Sequence, residues 1–403
     1  MSKFADIAKQ ALLSPKESLL EIPNRDSSLC IGIPKETSFQ ENRIALTPLS
    51  VALLVQNGHE VIIESGAGLG ANFTDNNYSE QGGQIVYDKK EVYNANFIIK
   101  IAPPTMDEIA MMKTGQVLFS ALQMSTIKPE YLHALMKKKV TALSFEYLLD
   151  DGNVLSVVRA MGEIVGATSI LIAAEYLSTV FGGKGLMLGG VTGVPSTEIV
   201  ILGAGAVGEY ATRTAIALGA SVKVFDSSIC RLRRLQNSIN SRIYTSVIQP
   251  IVLQKAIRSC DVVIGAIRAN NGRSPCIVSE ETISSMKPNS VIIDVSIDQG
   301  GCFETSRVTN HTEPIFRKYD VIHYCVPNIA SRVSRTATYA LTNIFTPILI
   351  EIGDVGGIVN LIWERPGVRN AIYLYQGALT NKDLAERFNI PLKDLELLII
   401  ATR

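Results

Sequence analysis

The chain carries the run Ile199-Val200-Ile201-Leu202-Gly203-Ala204-Gly205-Ala206-Val207-Gly208, which is the strongest indication of its fold. An apolar run enters a G-x-G-x-x-G turn, a stretch rich in Ala, Ile and Leu follows, and a second apolar run ends in Asp226. This order is typical of the first strand, turn, helix and second strand of a dinucleotide-binding Rossmann unit. The sequence therefore predicts a nucleotide-binding site for NAD.

The three glycines of the turn have separate physical roles. Gly203 allows the tight turn, Gly205 lets the backbone approach the pyrophosphate, and Gly208 lets the helix pack close to the strand. The pyrophosphate is expected at the helix N-terminus, where free N–H groups and the helix dipole favour an anion. The predicted cofactor-binding residues are Gly203, Gly205, Ala206, Val207, Gly208, Asp226, Ala266 and Asp298.

The acid at the end of the second strand bears on the choice between NAD and NADP. Asp226 closes the run 221–225, so its carboxylate is placed to accept hydrogen bonds from both ribose hydroxyls and to repel a 2′-phosphate. The sequence favours NAD for this reason. Because Arg231, Arg233 and Arg234 lie just downstream and are able to serve a phosphate, NADP stays open as an alternative.

The composition is that of an ordinary globular enzyme. The 403 residues are enough for two or three domains, 47% of them are hydrophobic, and 38 basic residues balance 38 acidic ones. A balanced charge gives no electrostatic reason to expect nucleic acid or anionic lipid as a partner. Small molecules and further copies of the chain are the expected partners.

Cysteine and histidine usage argues against a disulfide framework and against a metal centre. The six cysteines, at positions 30, 230, 260, 276, 302 and 325, lack C-x-x-C spacing and lie mostly in apolar runs, as expected of buried thiols in a reducing compartment. The four histidines are not paired in the sequence, so no metal site is predicted. Without a signal-peptide pattern or an apolar run long enough for a membrane span, a cytoplasmic location is expected.

The order of the predicted elements indicates an α/β fold with two doubly wound, Rossmann-like domains and a cleft between them. One long apolar helix over 157–181 is expected to form a spine between the domains. Because the residues beyond about 336 lack a sheet of their own, we expect them to return to the first domain and make it discontinuous. The predicted division is 1–28 as an N-terminal extension, 29–156 with 336–403 as the substrate domain, and 157–335 as the NAD-binding domain.

Within this scheme, strands are predicted at 29–33, 61–64, 97–101, 117–120, 140–144, 261–266, 291–295 and 323–326, the last of these closing the second sheet. Ligands of such folds bind at the carboxyl ends of the strands. The loops at 34–43, 100–104, 121–125 and 298–302 are therefore the expected places for chemistry.

Those loops carry a family pattern. The segments Ile31–Glu36 (IGIPKE), Glu41–Pro48 (ENRIALTP), Gly203–Gly208 (GAGAVG) and Asp294–Cys302 (DVSIDQGGC) occur in this order. From residue 29 to about 350 the chain resembles the family of alanine dehydrogenases and NAD-binding transhydrogenase subunits, and it is more similar to the former. The resemblance implies an oxidoreductase of amino-acid catabolism that converts L-alanine reversibly to pyruvate and ammonia with NAD. It also implies a homo-oligomer, usually a hexamer.

The resemblance further implies roles for individual residues. Arg43 matches the family arginine that grips the substrate carboxylate, and Lys100 matches the lysine at the keto or imino end of the substrate. Asp298 matches an aspartate beside the nicotinamide that takes part in proton transfer. Where the family's alanine dehydrogenases have a histidine, this chain has Gln123, whose amide can orient a carbonyl but cannot exchange a proton. The expected catalytic residues are therefore Asp298, Lys100 and Gln123, with the proton carried by Asp298.

Two other functions stay open at this point. A reductase of another 2-oxo or imino acid, as in the related saccharopine-forming enzymes, is compatible with the loop Ile101–Thr105, which lacks the second lysine and the acid often found there. An NAD-binding homologue without catalysis is compatible with the glutamine at position 123. A panel of substrates separates the three hypotheses.

Overall fold

A computed structural model describes residues 28–124, 126–268 and 273–402, so the predicted N-terminal extension lies outside the described residues except for Ser28. The strands are β1 Cys30–Ile33, β2 Glu60–Glu64, β3 Gln84–Val86, β4 Phe97–Ile99, β5 Val117–Ser120, β6 Thr141–Ser144, β7 Glu198–Leu202, β8 Ser221–Asp226, β9 Tyr244–Val247, β10 Val262–Gly265, β11 Val291–Asp294, β12 Ile315–Lys318, β13 Val321–Tyr324, β14 Ile372–Tyr375 and β15 Ala378–Leu379. The helices are α1 Pro48–Gln56, α2 Asp75–Ser79, α3 Lys89–Val92, α4 Met106–Met111, α5 Pro129–Lys137, α6 Ser156–Leu177, α7 Ala206–Ala217, α8 Ile229–Ser238, α9 Pro250–Ser259, α10 Glu280–Ser284, α11 Ser334–Asp354, α12 Ile358–Glu364, α13 Pro366–Arg369, α14 Lys382–Phe388 and α15 Leu395–Thr402.

The strands form two sheets that share one topology. The first sheet has the order β15-β14-β6-β5-β4-β1-β2-β3, and the second has the order β12-β13-β11-β10-β7-β8-β9. In each, six parallel strands follow the doubly wound order 3-2-1-4-5-6, and antiparallel strands are added beyond the sixth. The α/β fold with two Rossmann-like sheets is therefore confirmed. In both sheets the order in which strands are added reverses between the first and fourth strands, which are parallel neighbours. Ligand sites are therefore expected after β1, β4, β7 and β10.

Strands β14 and β15 come from the last part of the chain and extend the first sheet. β14 pairs antiparallel with β6, and β15 pairs antiparallel with β14. All strands of the second sheet therefore lie between β6 and β14 in the sequence. This pairing supports the discontinuous first domain, although the exact domain boundaries stay a prediction.

Helix α6 is the long apolar helix expected between the two sheets. By length and composition alone it could cross a membrane, but its main contacts are with α7 and α11 of the same chain. Gly166 lies so close to α7 that a Cβ would be 2.3 Å from the Val207 carbonyl oxygen. An interface this close is that of a packed core helix.

Three details differ from the sequence predictions. The second sheet does not end at 323–326: β13 spans Val321–Tyr324, and beyond it β12 pairs antiparallel as the edge strand. β12 carries Arg317 and Lys318 and is only half buried, which is typical of an edge strand and leaves no apolar run to read in the sequence. Of the six cysteines, none of which forms a disulfide, Cys230 and Cys276 are exposed rather than buried.

Candidate functional site

The glycine turn after β7 forms a cradle for a nucleotide. Gly203 has a φ of +107°, and a Cβ there would lie 2.4 Å from the Ala266 carbonyl oxygen at the end of β10. At Gly208 a Cβ would lie 1.8 Å from the Gly203 carbonyl oxygen, so only glycine lets α7 start this close to the turn. At Gly205, by contrast, a Cβ would meet nothing within 4 Å. The space in front of α7 is open, and these residues fit a pyrophosphate at the helix N-terminus.

The first residues of α7 complete this cradle. Ala206 and Val207 are partly exposed, and Gly205 caps the helix without a side-chain hydrogen bond. The first N–H groups of a helix have no partner within the helix itself and are available to an anionic ligand.

Asp226 lies at the carboxyl end of β8 with only 3% of its surface exposed. Its Oδ2 accepts the backbone N–H of Ala204 at 2.7 Å, and its Oδ1 accepts that of Ser228 at 2.7 Å. These bonds hold the carboxylate against the glycine turn, and each oxygen keeps a lone pair for a ribose hydroxyl. Arg231 Nη1 lies 3.9 Å from Oδ2, and Arg234 donates to the Ala204 carbonyl oxygen, so two of the three downstream arginines also reach this region.

Arg43 lies in the loop after β1 and is paired with Glu41 along one edge of its guanidinium. Its Nε and Nη2 donate to the two Glu41 carboxylate oxygens at 2.8 and 2.6 Å, and Nη1 contacts the Met161 sulfur at 3.5 Å. Only 13% of the Arg43 side chain and 5% of that of Glu41 are exposed. The two residues thus form an enclosed, two-bond ion pair, and the Nη1/Nη2 edge still carries donors for a second carboxylate.

The charge of Arg43 controls the ionisation of its partner. Burial alone would raise the pKa of the Glu41 carboxyl, but the charge and hydrogen bonds of Arg43 outweigh it and hold that pKa below its ordinary value. Glu41 Oε2 also accepts the side-chain amide of Asn328 at 2.8 Å. Glu41 is therefore a carboxylate that holds Arg43 in place.

Lys100 follows β4, and its side chain is 1% exposed. Its ammonium lies 3.1 and 3.2 Å from the two carboxylate oxygens of Glu108 and 3.6 Å from Glu36 Oε2. Glu36 also accepts the backbone N–H groups of Ile101 and Ala102 at 2.6 and 3.3 Å, which joins the loop after β1 to the loop after β4. Burial raises the pKa of Glu36, although the charge of Lys100 acts in the opposite direction. The predicted substrate contact of Lys100 stays a prediction, because its partners in the structure are these two carboxylates.

Gln123 lies in the loop after β5 and is exposed to solvent. Its φ is +50°, a left-handed conformation that is uncommon for a residue other than glycine. A single carboxylate oxygen of Glu146 accepts the backbone N–H groups of Leu122 and Gln123 at 2.7 and 2.8 Å, and the Gln123 carbonyl accepts the Thr126 N–H at 2.9 Å. These backbone bonds hold the turn that presents the Gln123 side chain.

Asp298 lies in the short 3₁₀ helix Val295–Gln299 that follows β11. Its carboxylate is accessible to solvent, yet protein atoms surround it on most sides, as expected for a group inside a cleft. Burial raises the pKa of Asp298 to about 6, while a hydrogen bond from the Asn328 backbone and the charge of Arg43 act to lower it. A carboxyl with such a pKa exchanges protons near neutral pH.

The loop of Asp298 is built on a second, buried aspartate. Asp294, the last residue of β11, accepts the backbone N–H groups of Ser296 and Cys302 at 3.0 and 3.1 Å and the Ser306 hydroxyl at 2.6 Å. Burial raises the pKa of Asp294 despite these bonds. Because its bonds start and end the 295–302 loop, Asp294 sets the position of Asp298.

The structure brings most of the predicted residues together. Arg43 and Asp298 come from loops of different sheets, and the charge of each contributes to the pKa shift of the other. Glu36 interacts with both Arg43 and Lys100. Gln123 joins the group through Glu146, whose charge also acts on Asp298.

The sequence analysis assigned no role in the site to the residues that hold this group in place. They are Glu36, Glu41, Glu108, Glu146 and Asn328. A signal was present for the first two, since they stand in the motifs IGIPKE and ENRIALTP. The other three lie outside the quoted motifs.

His323 is a packed core residue. It is fully buried in β13, its Nε2 is 2.8 Å from the Thr305 hydroxyl, and its Nδ1 is 3.0 Å from the Val321 carbonyl oxygen. Its ring stacks on Phe316, and burial lowers its pKa to about 4. It is therefore neutral at pH 7 and has a structural role.

Comparison with known proteins finds one family over most of the chain. The family model described as "Alanine dehydrogenase/PNT, N-terminal domain" matches residues 32–165, and "Alanine dehydrogenase/PNT, C-terminal domain" matches residues 169–382. The alanine dehydrogenase of Methanococcus maripaludis is 39% identical over 365 residues, which are 90% of this chain and 97% of that protein. The alanine dehydrogenase of Bacillus subtilis is 37% identical over 358 residues, 89% of this chain and 94% of that one.

Solved structures agree with the sequence comparison. An L-alanine dehydrogenase superposes with a TM-score of 0.84 at 34% identity, over 89% of this chain and 99% of that one. A transhydrogenase from Sinorhizobium meliloti superposes with a TM-score of 0.74 over 88% of this chain and 99% of that one. At 23% identity, the second match is a likeness of fold.

Proposed function

The chain belongs to the alanine dehydrogenase/PNT family, and from that membership we propose that it catalyses the reversible oxidative deamination of L-alanine with NAD. L-Alanine, water and NAD⁺ give pyruvate, ammonium, NADH and a proton. One observation carries the proposal: Arg43 and Asp298, from two different sheets, interact electrostatically, and the Asn328 side chain, which follows the second sheet's strand β13, donates to Glu41 of the Arg43 ion pair at 2.8 Å. A guanidinium with donors to spare suits binding of the amino-acid carboxylate, and a carboxyl of pKa about 6 suits proton transfer to and from the reacting water.

We assign NAD as the cofactor. Gly203, Gly205, Gly208 and the N-terminus of α7 would hold its pyrophosphate, and Asp226 would accept the ribose hydroxyls. When bound, NAD⁺ would accept the hydride that leaves the α-carbon of the amino acid. Arg231, 3.9 Å from Asp226, keeps NADP as the alternative to be tested.

Arg43 would bind the substrate carboxylate. Glu41 occupies the Nε/Nη2 edge, so the guanidinium is held in one orientation before the substrate arrives. A group held in place in this way loses little conformational entropy on binding, which improves affinity. Lys100 would act at the keto or imino end, with its charge balanced by Glu36 and Glu108.

Asp298 would carry the proton. In the direction of deamination its carboxylate accepts a proton as water attacks the imino carbon, and in the reverse direction it returns that proton to the leaving hydroxyl. Gln123 would orient the substrate carbonyl through its amide. Closure of the cleft would exclude water and strengthen the interaction of Arg43 with the substrate.

A reductase of another 2-oxo or imino acid is the second candidate. The observation that favours it is the pairing of the buried Lys100 ammonium with Glu108 and Glu36, whereas the resemblance implies a lysine that contacts the substrate. The family's fold and the Arg43 site serve either substrate class. A catalytically inactive NAD-binding homologue ranks third.

We also propose a homo-oligomer, a hexamer by resemblance, in the cytoplasm. The support is a cluster of exposed apolar side chains between α6 and β7: Val180, Phe181, Met187, Val191 and Val194. Met187 also lines a groove of about 600 Å³ together with Leu186 and Leu218. Exposed apolar surface of this kind is expected at subunit contacts. Light scattering of the purified protein tests the oligomer.

The test of function is NADH oxidation by the purified protein with pyruvate and ammonium together. Glyoxylate, 2-oxobutyrate and 2-oxoglutarate serve as alternative acids, and NADPH as the alternative cofactor. Turnover that requires both pyruvate and ammonium supports the alanine reaction. Preferred turnover of another acid supports the second candidate, and NADH binding without turnover supports the inactive homologue.

A further inference from the structure

Asn328 contacts both Glu41, the ion-pair partner of Arg43, and Asp298, through its side chain and its backbone respectively. Its side-chain Nδ2 donates to Glu41 Oε2 at 2.8 Å, and its backbone N–H donates to the Asp298 carboxylate. Glu41 in turn holds the Arg43 guanidinium by two bonds. A single residue therefore connects the carboxylate-binding arginine of the first sheet to the proton carrier of the second.

The backbone conformation at this position is uncommon for a residue other than glycine. Asn328 has a φ of +57°, a left-handed conformation in which asparagine is several-fold enriched over other non-glycine residues. It stands immediately before the 3₁₀ helix Ile329–Val333.

The loop that carries Arg43 is fastened to the same region by further bonds. The Asn42 N–H donates to the Ser331 hydroxyl at 2.9 Å, and that hydroxyl donates to the Gln40 carbonyl at 2.7 Å. The Gln40 side chain accepts the His311 backbone N–H at 2.6 Å and donates to the Thr312 hydroxyl at 3.0 Å. Residues 40–42 are thus hydrogen-bonded to loop residues of the second half of the chain. Among the residues at this contact, Asn328 is the one that bonds to Glu41, the ion-pair partner of Arg43.

We infer that Asn328 is a positioning residue for substrate binding, whose side-chain amide orients Arg43 by holding Glu41. The inference rests on the proposed function for its kinetic consequence. Asn328 acts on the reaction through Glu41 and Arg43 and need not touch the substrate. The amide bond to Glu41 is a hydrogen bond to a charged group, the kind with the larger effect on affinity.

Asn328→Gly is the sharpest variant. Glycine adopts the left-handed backbone without strain and keeps the N–H that binds Asp298, so only the amide is removed. We expect the KM for pyruvate to rise about tenfold, as for loss of one hydrogen bond to a charged group, with kcat and its pH profile unchanged. If Asn328→Gly instead disturbed the structure of the site in general, kcat and its pH profile would change as well.

Two further variants complete the test. Asn389→Gly is the matched control, because Asn389 is another left-handed asparagine, with φ +53°, at the exposed end of α14. Glu41→Gln weakens the same chain of contacts, so the double variant Glu41→Gln/Asn328→Gly should have a KM no higher than Glu41→Gln alone. The melting temperatures of the four proteins in this cycle are measured in parallel.

The outcomes separate the inference from the proposed function. An unchanged KM in Asn328→Gly, or KM changes that multiply in the double variant, overturns the positioning role while the function stands. If the parent turns over no acid of the panel, the proposed function fails, and the melting temperatures decide the contact. Non-additive shifts then support an Asn328–Glu41 unit, and additive shifts overturn it.

Discussion

Glu108 holds the Lys100 ammonium with both carboxylate oxygens, at 3.1 and 3.2 Å, while Oε2 of the same carboxylate accepts the Thr105 backbone N–H at 2.9 Å. The second bond is half of a capping box at the start of α4, completed by the Thr105 hydroxyl, which accepts the Glu108 N–H. Lys89 also lies 3.2 Å from Glu108. One side chain therefore both starts a helix and balances a buried lysine.

The double role of Glu108 predicts a large loss of stability on truncation. Glu108→Ala removes the main counter-ion of a lysine that is 1% exposed, and the free energy of unfolding should fall by about 3–5 kcal/mol. Urea unfolding measures it. In the Glu108→Ala/Lys100→Met double variant the buried charge is gone, so the loss should be smaller. A loss as large as in the single variant would contradict the pairing, and Glu130→Ala, at an exposed helix start, is the neutral control.

The glycines of the nucleotide turn predict two different phenotypes for the same substitution. At Gly205 a Cβ meets no protein atom, and the backbone φ of −78° suits alanine, so Gly205→Ala should keep the melting temperature of the parent. The new methyl group would occupy the space meant for the pyrophosphate and should weaken NADH binding by about tenfold or more. Fluorescence titration with NADH measures the affinity.

Gly208→Ala should instead damage the fold. Its Cβ would lie 1.8 Å from the Gly203 carbonyl oxygen, so α7 has to shift away from the turn, and the melting temperature should fall along with NADH binding. If Gly205→Ala and Gly208→Ala lost stability equally, or if Gly205→Ala bound NADH as the parent does, the assignment of the open space to the pyrophosphate would be wrong.

Gln123 is expected to orient the substrate rather than to move a proton. Gln123→Gly suits the φ of +50° and keeps the N–H that binds Glu146, so it removes the amide alone. We expect kcat/KM to fall by less than about tenfold, whereas loss of a general acid or base costs about 10² to 10⁴. Steady-state kinetics beside Asp298→Asn makes the comparison. A loss in Gln123→Gly as large as that in Asp298→Asn would assign Gln123 a larger role than its chemistry allows.

The two sheets could be predicted from sequence because their central strands are buried apolar runs. β7 and β11 lie within one residue of their predicted ranges. Because helices cover both faces of a parallel sheet, successive side chains of a central strand are all buried, and the strand is recognisable as a continuous apolar run. β12 could not be predicted in the same way, because an edge strand with Arg317 and Lys318 has no such pattern.

For the site, motifs predicted the residues with chemistry but not the residues that hold them. Arg43 and Asp298 stand in long motifs, and in the structure the charge of each acts on the other. Thr105 and Glu108 have the spacing of a capping box, but pairing of Glu108 with Lys100 depends on how α4 folds back over β4. Asn328 is 287 residues from Glu41, so their contact exists only in the folded chain.

The raised pKa of Asp298 predicts opposite effects of pH on activity and on stability. Its folded pKa of about 6 lies above the ordinary value of 3.8, so the carboxylate needed for deamination forms only as the pH rises through about 6. We expect kcat/KM for L-alanine to increase over that range. Between pH 4 and 6 the folded protein binds more protons at this site than the unfolded chain, so the Asp298 contribution to stability is present at low pH and lost as the pH rises through 6.

Asp298→Asn separates these effects. The amide cannot ionise, so the variant should lose about 10² or more in kcat/KM and yet melt at a higher temperature than the parent at pH 8. The difference in melting temperature should vanish near pH 4, where the parent carboxyl is protonated. Asp383→Asn, at the exposed start of α14, is the control and should show neither effect. If Asp298→Asn kept its turnover, the proton carrier would be another group. If the variant were less stable than the parent at pH 8, ionisation of Asp298 would not be the destabilising step that its raised pKa implies.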